Sequence, residues 1–321
     1  MFGLQGSFIQ RNIAALLVGL LLDLLIGDPE GWPHPVIFIG RYIAWMEKRL
    51  RARGGSLRRA AVWLTASTVL MSMAVTAGIL FGLALLGDAV QFIGMALISW
   101  TTLSARCLAK EGRGVAQALR ISLERGRKQV ARIVGRDTSA LSEDEIVCAT
   151  VETIAENTTD GVIAPMLYLA LGGPVLAMGF KAASTLDSMV GYLDEKYRDI
   201  GWSSARLDDV LNWIPARLCG LLMCASARLC GLDGRNAFRI MRRDHANHLS
   251  PNCAWSESAM AGALHVQLGG THLYFGKPVE KPTIGDDDRP IESSDILKAI
   301  RLLYASEGML MILLAVLGVW M

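Results

Sequence analysis

The sequence predicts an all-α integral membrane protein with about five membrane segments, some of them re-entrant, and with helical and loop insertions on the cytoplasmic side. Three observations carry this reading. Hydrophobic residues make up 52% of the 321-residue chain and the mean hydropathy is positive, which is too apolar for an ordinary soluble domain. Uncharged runs recur at lengths that suit a bilayer core of about 30 Å. Between them lie charged, helix-prone segments, with no internal repeat, no low-complexity tract and no strand-dominated region.

The first apolar run, Ile13 to Ile26, lacks a small-residue cleavage site behind it and reads as a retained span. Asp23 falls inside it, and an ionisable group at membrane depth is a functional hypothesis by default. The alternative is an interfacial residue paired with an arginine such as Arg41. Trp32-Pro33-His34-Pro35 fixes an extended turn, because residues before proline avoid the α region. Val36 to Arg53 starts apolar and ends basic, which suits an amphipathic helix lying at the interface.

Ala60 to Leu86 and Ala89 to Ala105 are uncharged and read as a helical hairpin around Gly87-Asp88. Arg58, Arg59, Arg106 and Lys110 flank it on both sides, which puts the flanks in the cytoplasm and the turn outside. Residues 106–161 and 231–303 are the polar cytoplasmic segments of a single integral membrane domain covering 1–321. Ser142 with Glu145 is a capping box and starts a helix. Val162 to Phe180 is a third long apolar stretch. Val210 to Cys230 is weaker, being interrupted by Arg217 and Arg228, and Met309 to Met321 is short for a full span. "YFGKPVEKPTIGDDDRP" reads as loop.

A full crossing at 162–180 places the string from Lys181 to Asp209 outside, although its alternating charges look like chemistry. Pro165, Gly172, Gly173 and Pro174 favour broken or re-entrant helices, which are tolerated where they line protein or water.

Four constellations carry candidate chemistry. Glu152, Glu156 and Asp160 recur every four residues and so share a helix face. Hard oxygens there suit Mg²⁺, or the face is merely solvated. Asp187 extends the acidic set, and Lys181 and Arg198 suit phosphate oxygens; the same string also fits a salt-bridged helix. His248 or Glu257 is placed to serve as a base. Ser250-Pro251-Asn252 is a turn ahead of a helix, and Gly269-Gly270 with Lys277 suits a phosphate-contacting loop, although no Walker A pattern exists. The six cysteines form no CxxC or zinc spacing and read as buried thiols used as small hydrophobes. The net charge of +2 gives no reason to expect nucleic acid as a partner.

Four blocks, "DLLIGDPEGWPHPVIFIGRYIAWMEKRLR", "RDTSALSEDEIVCATVETIAENTTDGVIAP", "KAASTLDSMVGYLDEKYRDIGWSSARLDDVLNWIPARL" and "NHLSPNCAWSESAMAGALHVQLGG", run in order along nearly the whole chain. Together they resemble the CbiB/CobD family, the adenosylcobinamide-phosphate synthases. The resemblance implies an ATP-dependent amide ligase. It would join adenosylcobyric acid to aminopropanol phosphate or ethanolamine phosphate, through an acyl phosphate and with ATP and Mg²⁺ as cofactors. For that reaction the residue chemistry suits Glu152, Glu156, Asp160 and Asp187 to Mg²⁺, and Lys181, Arg198, Asn252 and Lys277 to ATP or substrate phosphates. Glu156, His248 and Glu257 become the catalytic set. Corrinoid, amino-alcohol phosphate and lipid bilayer are the implied partners, and a homo-oligomer or contact with other corrinoid-pathway membrane enzymes is compatible. The implied location is the cell inner membrane, multi-pass, with the active site facing the cytoplasm. Cys253 and Trp255 depart from the smaller residues expected there. No DxHxxG motif exists, so no protein histidine is assigned to cobalt. The rival reading is an AmpE-like membrane sensor or transporter without ligase activity.

Overall fold

The computed structural model describes residues 7–29, 31–192, 194–274 and 277–320, with the side chains of 271–281 outside that description. Among these residues the regular structure is helical apart from one hairpin. The elements are α1 (Phe8–Leu25), α2 (Pro35–Ala52), α3 (Leu57–Ala84), α4 (Asp88–Thr102), α5 (Ala105–Leu119), α6 (Leu123–Val130) and α7 (Glu143–Thr158). A π turn (Thr159–Ile163) leads into α8 (Ala164–Val190), followed by α9 (Trp202–Leu211), α10 (Trp213–Ser226), α11 (Gly234–Asp244) and α12 (Cys253–Leu264). The hairpin β1 (Leu268–Tyr274) and β2 (Lys277–Ile284) precedes the last helix, α13 (Ser293–Trp320).

Among the described residues, six helical stretches are long and apolar enough to cross a membrane, so the protein is an all-α, multi-pass membrane protein. The short terminal run at Met309 is the second half of α13, which is 28 residues long. Helix α2 is not among the six. Its apolar side exposes Ile37, Phe38 and Trp45, and Arg49 stacks over the Trp45 ring at 4.3 Å, as an interfacial helix would arrange them.

The chain forms two compact units. The first comprises residues 1–104, 164–212 and 313–321. Its core includes Ile43, Leu64, Leu186 and Ile200. Helices α1 and α4 approach closely at Gly19, where an added Cβ would lie 2.9 Å from Ser99 Cβ; small residues at such crossings are how membrane helices gain packing energy. Thr68, Ser72 and Thr76, all buried on α3, each donate to the carbonyl four residues back. Their hydroxyls are thereby satisfied in an apolar setting.

Helix α8 breaks at Gly173, whose φ of 64° and ψ of −163° interrupt the helix just before Pro174. This is one of the positions where the sequence pointed to a broken helix. The string after it is not a single amphipathic helix. Helix α8 ends at Val190, and turns around Asp194, whose carboxylate accepts from the Tyr197 amide, lead into α9.

The second unit comprises residues 105–163 and 213–312. The predicted capping box is present: Ser142 Oγ accepts from the Glu145 amide while Glu145 accepts from the Ser142 amide at 2.7 Å. Helix α12 is the buried centre, with every residue from Ser256 to Leu264 enclosed. Its small residues permit this. A Cβ on Gly262 would lie 2.8 Å from Ala237 Cα on α11, and Asn236 Nδ2 donates to the Gly262 carbonyl instead. Asn252 is the residue before α12, but its side chain makes no capping hydrogen bond.

Within the segment expected to be loop, Lys277–Ile284 is β2 and pairs antiparallel with β1, Phe275 and Gly276 lie outside the described residues, and 285–290 is loop as expected. Tyr274 pairs with Lys277, and the register skips Pro282 between the Gly269–Thr283 and Gly270–Lys281 pairs. Pro282 is thus the extra residue of a bulge, one of the few places a strand accepts proline. Composition alone hides this, because Gly and Pro signal turn wherever they occur.

Candidate active site

Helix α7 and its π turn carry the acidic series in the second unit, and the structure gives its members different surroundings. Glu152 is bonded by protein on both oxygens. Arg136, which is buried, donates to Oε2 at 2.8 Å, and the Gly269 amide donates to Oε1 at 2.8 Å. The Cys148 thiol lies 3.5 Å from the same Oε1. Glu152 therefore ties the loop before α7 to the start of the hairpin.

One turn on, Glu156 Oε1 accepts from the Cys253 thiol at 3.5 Å. Cys253 opens α12. Its thiol is pushed well above the ordinary range, first by burial and then by the negative charges of Glu156, Glu257 and Asp160. A single sulfur thus reports that three carboxylates from α7, the π turn and α12 converge. Glu257 is buried one turn into α12. Asp160 also lies within electrostatic reach of Cys219 on α10. The widened π turn, a feature common at functional sites, carries Asp160.

His248 lies in the turn before α12. Its Nδ1 accepts from the Ser250 amide at 3.0 Å, so the proton of the neutral ring is on Nε2. Ser250 Oγ in turn accepts from the Asn252 amide, and Asn252 is buried. Among the described residues, no group of three or more His, Cys, Asp or Glu side chains is arranged to hold a metal by itself.

Lys181, Asp187 and Arg198 belong to the first unit. Lys181, on α8, lies within electrostatic reach of Asp28 and His34. Asp187 sits near the end of α8 against Gly191, and Arg198 is exposed in the turns that follow. Lys277 opens β2, and its side chain lies outside the described residues.

Sequence reasoning missed two participants. Cys253 reads as a small hydrophobe, although its four-residue spacing to Glu257 places both on one face of α12. Arg136 sits far from the acids in sequence and carries no local pattern.

The fold and this site define a multi-pass helical membrane protein whose second unit gathers carboxylates around the start of a buried helix. The family model described as CobD/Cbib protein matches residues 16–303. A cobalamin biosynthesis protein CobD of Geobacter metallireducens is 50% identical over 308 residues, covering 94% of this chain and 96% of its own. A protein of the same name from Listeria monocytogenes is 48% identical over 298 residues, covering 92% and 95%. A cobalamin biosynthesis protein CbiB of Salmonella typhimurium is 45% identical over 318 residues, covering 94% and 96%. No solved structure matches. The chain belongs to the CobD/Cbib family.

Proposed function

We propose that this protein acts in cobalamin biosynthesis as an ATP-dependent acid–amine ligase, joining adenosylcobyric acid to an amino-alcohol phosphate. Support comes from the names of its relatives and from the four sequence blocks. The structural observation that carries the reading is the convergence of Glu156, Asp160 and Glu257 on Cys253.

A carboxylate does not acylate an amine at neutral pH until its oxygen becomes a leaving group. In the proposed reaction a corrinoid carboxylate oxygen attacks the γ-phosphorus of ATP, the bond to the β-phosphate oxygen breaks, and ADP departs. The amine nitrogen then attacks the acyl carbon, the carbon–oxygen bond breaks, and phosphate leaves. The amine proton needs an acceptor. Glu257 is the better placed of the two candidates, because the His248 Nδ1 lone pair already receives the Ser250 amide.

Hard carboxylate oxygens fit Mg²⁺, which commonly takes one or two carboxylates and completes its shell with substrate phosphates and water. Glu156 and Asp160 would hold it. When bound it would neutralise charge on the transferring phosphoryl group. Glu152, already bonded by Arg136 and Gly269, would position the hairpin instead. Lys181 and Arg198 remain proposed anion contacts of the first unit. ATP and corrinoid are cytoplasmic, so the site is placed on the cytoplasmic side of the plasma (inner) membrane.

The test is purified protein in detergent with adenosylcobyric acid, aminopropanol phosphate and Mg-ATP, with products identified by mass. Amide with ADP and phosphate supports the reaction as written, and amide with AMP replaces the acyl phosphate by an adenylate. No amide with either aminopropanol or ethanolamine phosphate overturns the ligase reading and favours the sensor or transporter.

A further inference from the structure

Away from the acidic cluster, but in the same unit, lies an open cavity of about 660 Å³ with charge of both signs on its walls. His265 lines it. It is the described non-glycine residue with positive φ, at 56°, and it occupies the left-handed position that ends α12. Glycine is the usual residue there because it has no Cβ to strain, and here a histidine takes the position. Its ring lies between two carboxylates: Nδ1 is 3.0 Å from Asp288 Oδ2 and Nε2 is 3.3 Å from Asp233 Oδ2. Asn236 Nδ2 also approaches Nδ1, at 3.3 Å. One imidazole facing two carboxylates leaves this wall negative whether or not the ring is protonated.

The wall formed by Arg289 and Lys298 is positive. Both cations meet one fully buried carboxylate, Asp295. Arg289 is saturated: its two terminal nitrogens donate to Asp295, Leu264 O and Pro290 O. Lys298 donates to Asp295 at 2.7 Å, one of its three donors, and keeps two for the cavity. Glu292 lies within reach of Arg289 but is exposed and does not line the cavity.

We infer that this cavity binds the amino-alcohol phosphate substrate, with the phosphate on Lys298 and the ammonium between Asp233 and Asp288 beside His265. A small zwitterion satisfies both walls at once, whereas an ion of either sign meets repulsion from one of them. The inference rests on the ligase reading for the identity of the substrate. The cavity begins where α12 ends, eight residues after Glu257 or about 12 Å along the helix.

The test is calorimetric titration of the purified full chain in detergent with aminopropanol phosphate, with propyl phosphate, which lacks the amine, and with aminopropanol, which lacks the phosphate. The zwitterion is expected to bind at least about tenfold more tightly than either half-ligand. Lys298→Gln and Asp288→Asn should each abolish that preference. His265→Gly supplies the control for a merely structural role. Glycine suits the backbone, so its thermal midpoint should not fall, yet the KM for the amine substrate should rise about tenfold with the KM for ATP unchanged. Equal binding of whole and half ligands, or an unchanged amine KM in His265→Gly and Lys298→Gln, overturns the inference even where amide is made. Selective zwitterion binding without amide formation upholds the site and sinks the ligase reading instead.

Discussion

Asn12 on α1 donates its Nδ2 to the carbonyl of Ala170 on α8 at 3.5 Å. In an unbroken helix that carbonyl would receive the amide of residue 174, but residue 174 is proline and has none. The side chain of one helix therefore supplies the donor that the break in another removes. Gly173 is packed against the same group, since a Cβ there would lie 2.7 Å from Asn12 Oδ1, and its φ of 64° already suits glycine. Asn12→Ala is expected to cost about 1–3 kcal/mol, the range for a buried group that loses its partner. Gly173→Ala should cost more. The double variant should be less damaging than the sum, because removing Asn12 also removes the clash. Thermal midpoints in detergent check this, and strict additivity would show that the two residues do not act on one another.

Arg136 and Glu152 form an enclosed ion pair in the second unit, with the arginine side chain 4% and the glutamate 14% exposed. Removing one partner leaves a charge without its counter-ion, which typically costs about 3–5 kcal/mol. Arg136→Met should therefore destabilise strongly, and Arg136→Met with Glu152→Met should recover much of the loss. Recovery will be incomplete, because the Gly269 amide also depends on Glu152. A double variant no better than the single one would mean that the pair is not the unit of stability here.

Much of the fold was legible because membrane helices are written in long uncharged runs, and the break at Gly173-Pro174 and the capping box at Ser142 are local signals. What was not legible depends on distant chain. Residues 277–284 of the loop-like segment form a strand because β1 supplies backbone partners, and Pro282 escapes its usual penalty by sitting in a bulge. The four-residue acidic spacing suggested one face with one role. Tertiary packing instead hands Glu152 to Arg136 and leaves Glu156, Asp160 and Glu257 around Cys253, a partition that no spacing rule contains.

His34 makes the first unit sensitive to acid. Its Nδ1 accepts from the Val36 amide at 3.3 Å, capping α2, and this needs the neutral ring. The His34 pKa is lowered, first by burial, with Lys181 adding to the effect and Asp28 opposing it. A depressed folded pKa means that the unfolded chain takes up a proton first. His34 therefore contributes stability above the ordinary value of 6.5 that is lost as pH falls below it. Asp28 has the opposite sign: its raised pKa, caused first by burial, favours the fold at pH below 3.8 and is lost as pH rises. Falling from pH 7 to 5.5 crosses the ordinary histidine value, and the thermal midpoint should fall with the loss of the His34 contribution. His34→Asn keeps a capping oxygen and should flatten the profile, and Lys181→Gln should reduce the fall. A wild-type profile flat over that range would remove His34 as the cause.

The acidic cluster makes the sharpest functional prediction. Glu156→Gln preserves shape and the contact with Cys253 but removes the charge, so the protein should stay monodisperse with an unchanged thermal midpoint while amide formation disappears. Asp160→Asn should instead raise the Mg²⁺ concentration needed for half-maximal rate, because Mg²⁺ commonly relies on only one or two protein carboxylates. Chelation of Mg²⁺ should abolish the wild-type rate, and re-addition should restore it. Glu257→Gln should lower kcat by roughly 10²–10⁴-fold, the range for loss of a general base, with the acid limb of the pH–rate profile lost and the Mg²⁺ requirement unchanged. That split separates a proton acceptor from a metal ligand within one cluster. If Glu257→Gln shifts the Mg²⁺ requirement and leaves the pH profile alone, the two roles are exchanged. If all three variants keep the wild-type rate, the convergence on Cys253 is structural and the chemistry lies elsewhere in the chain.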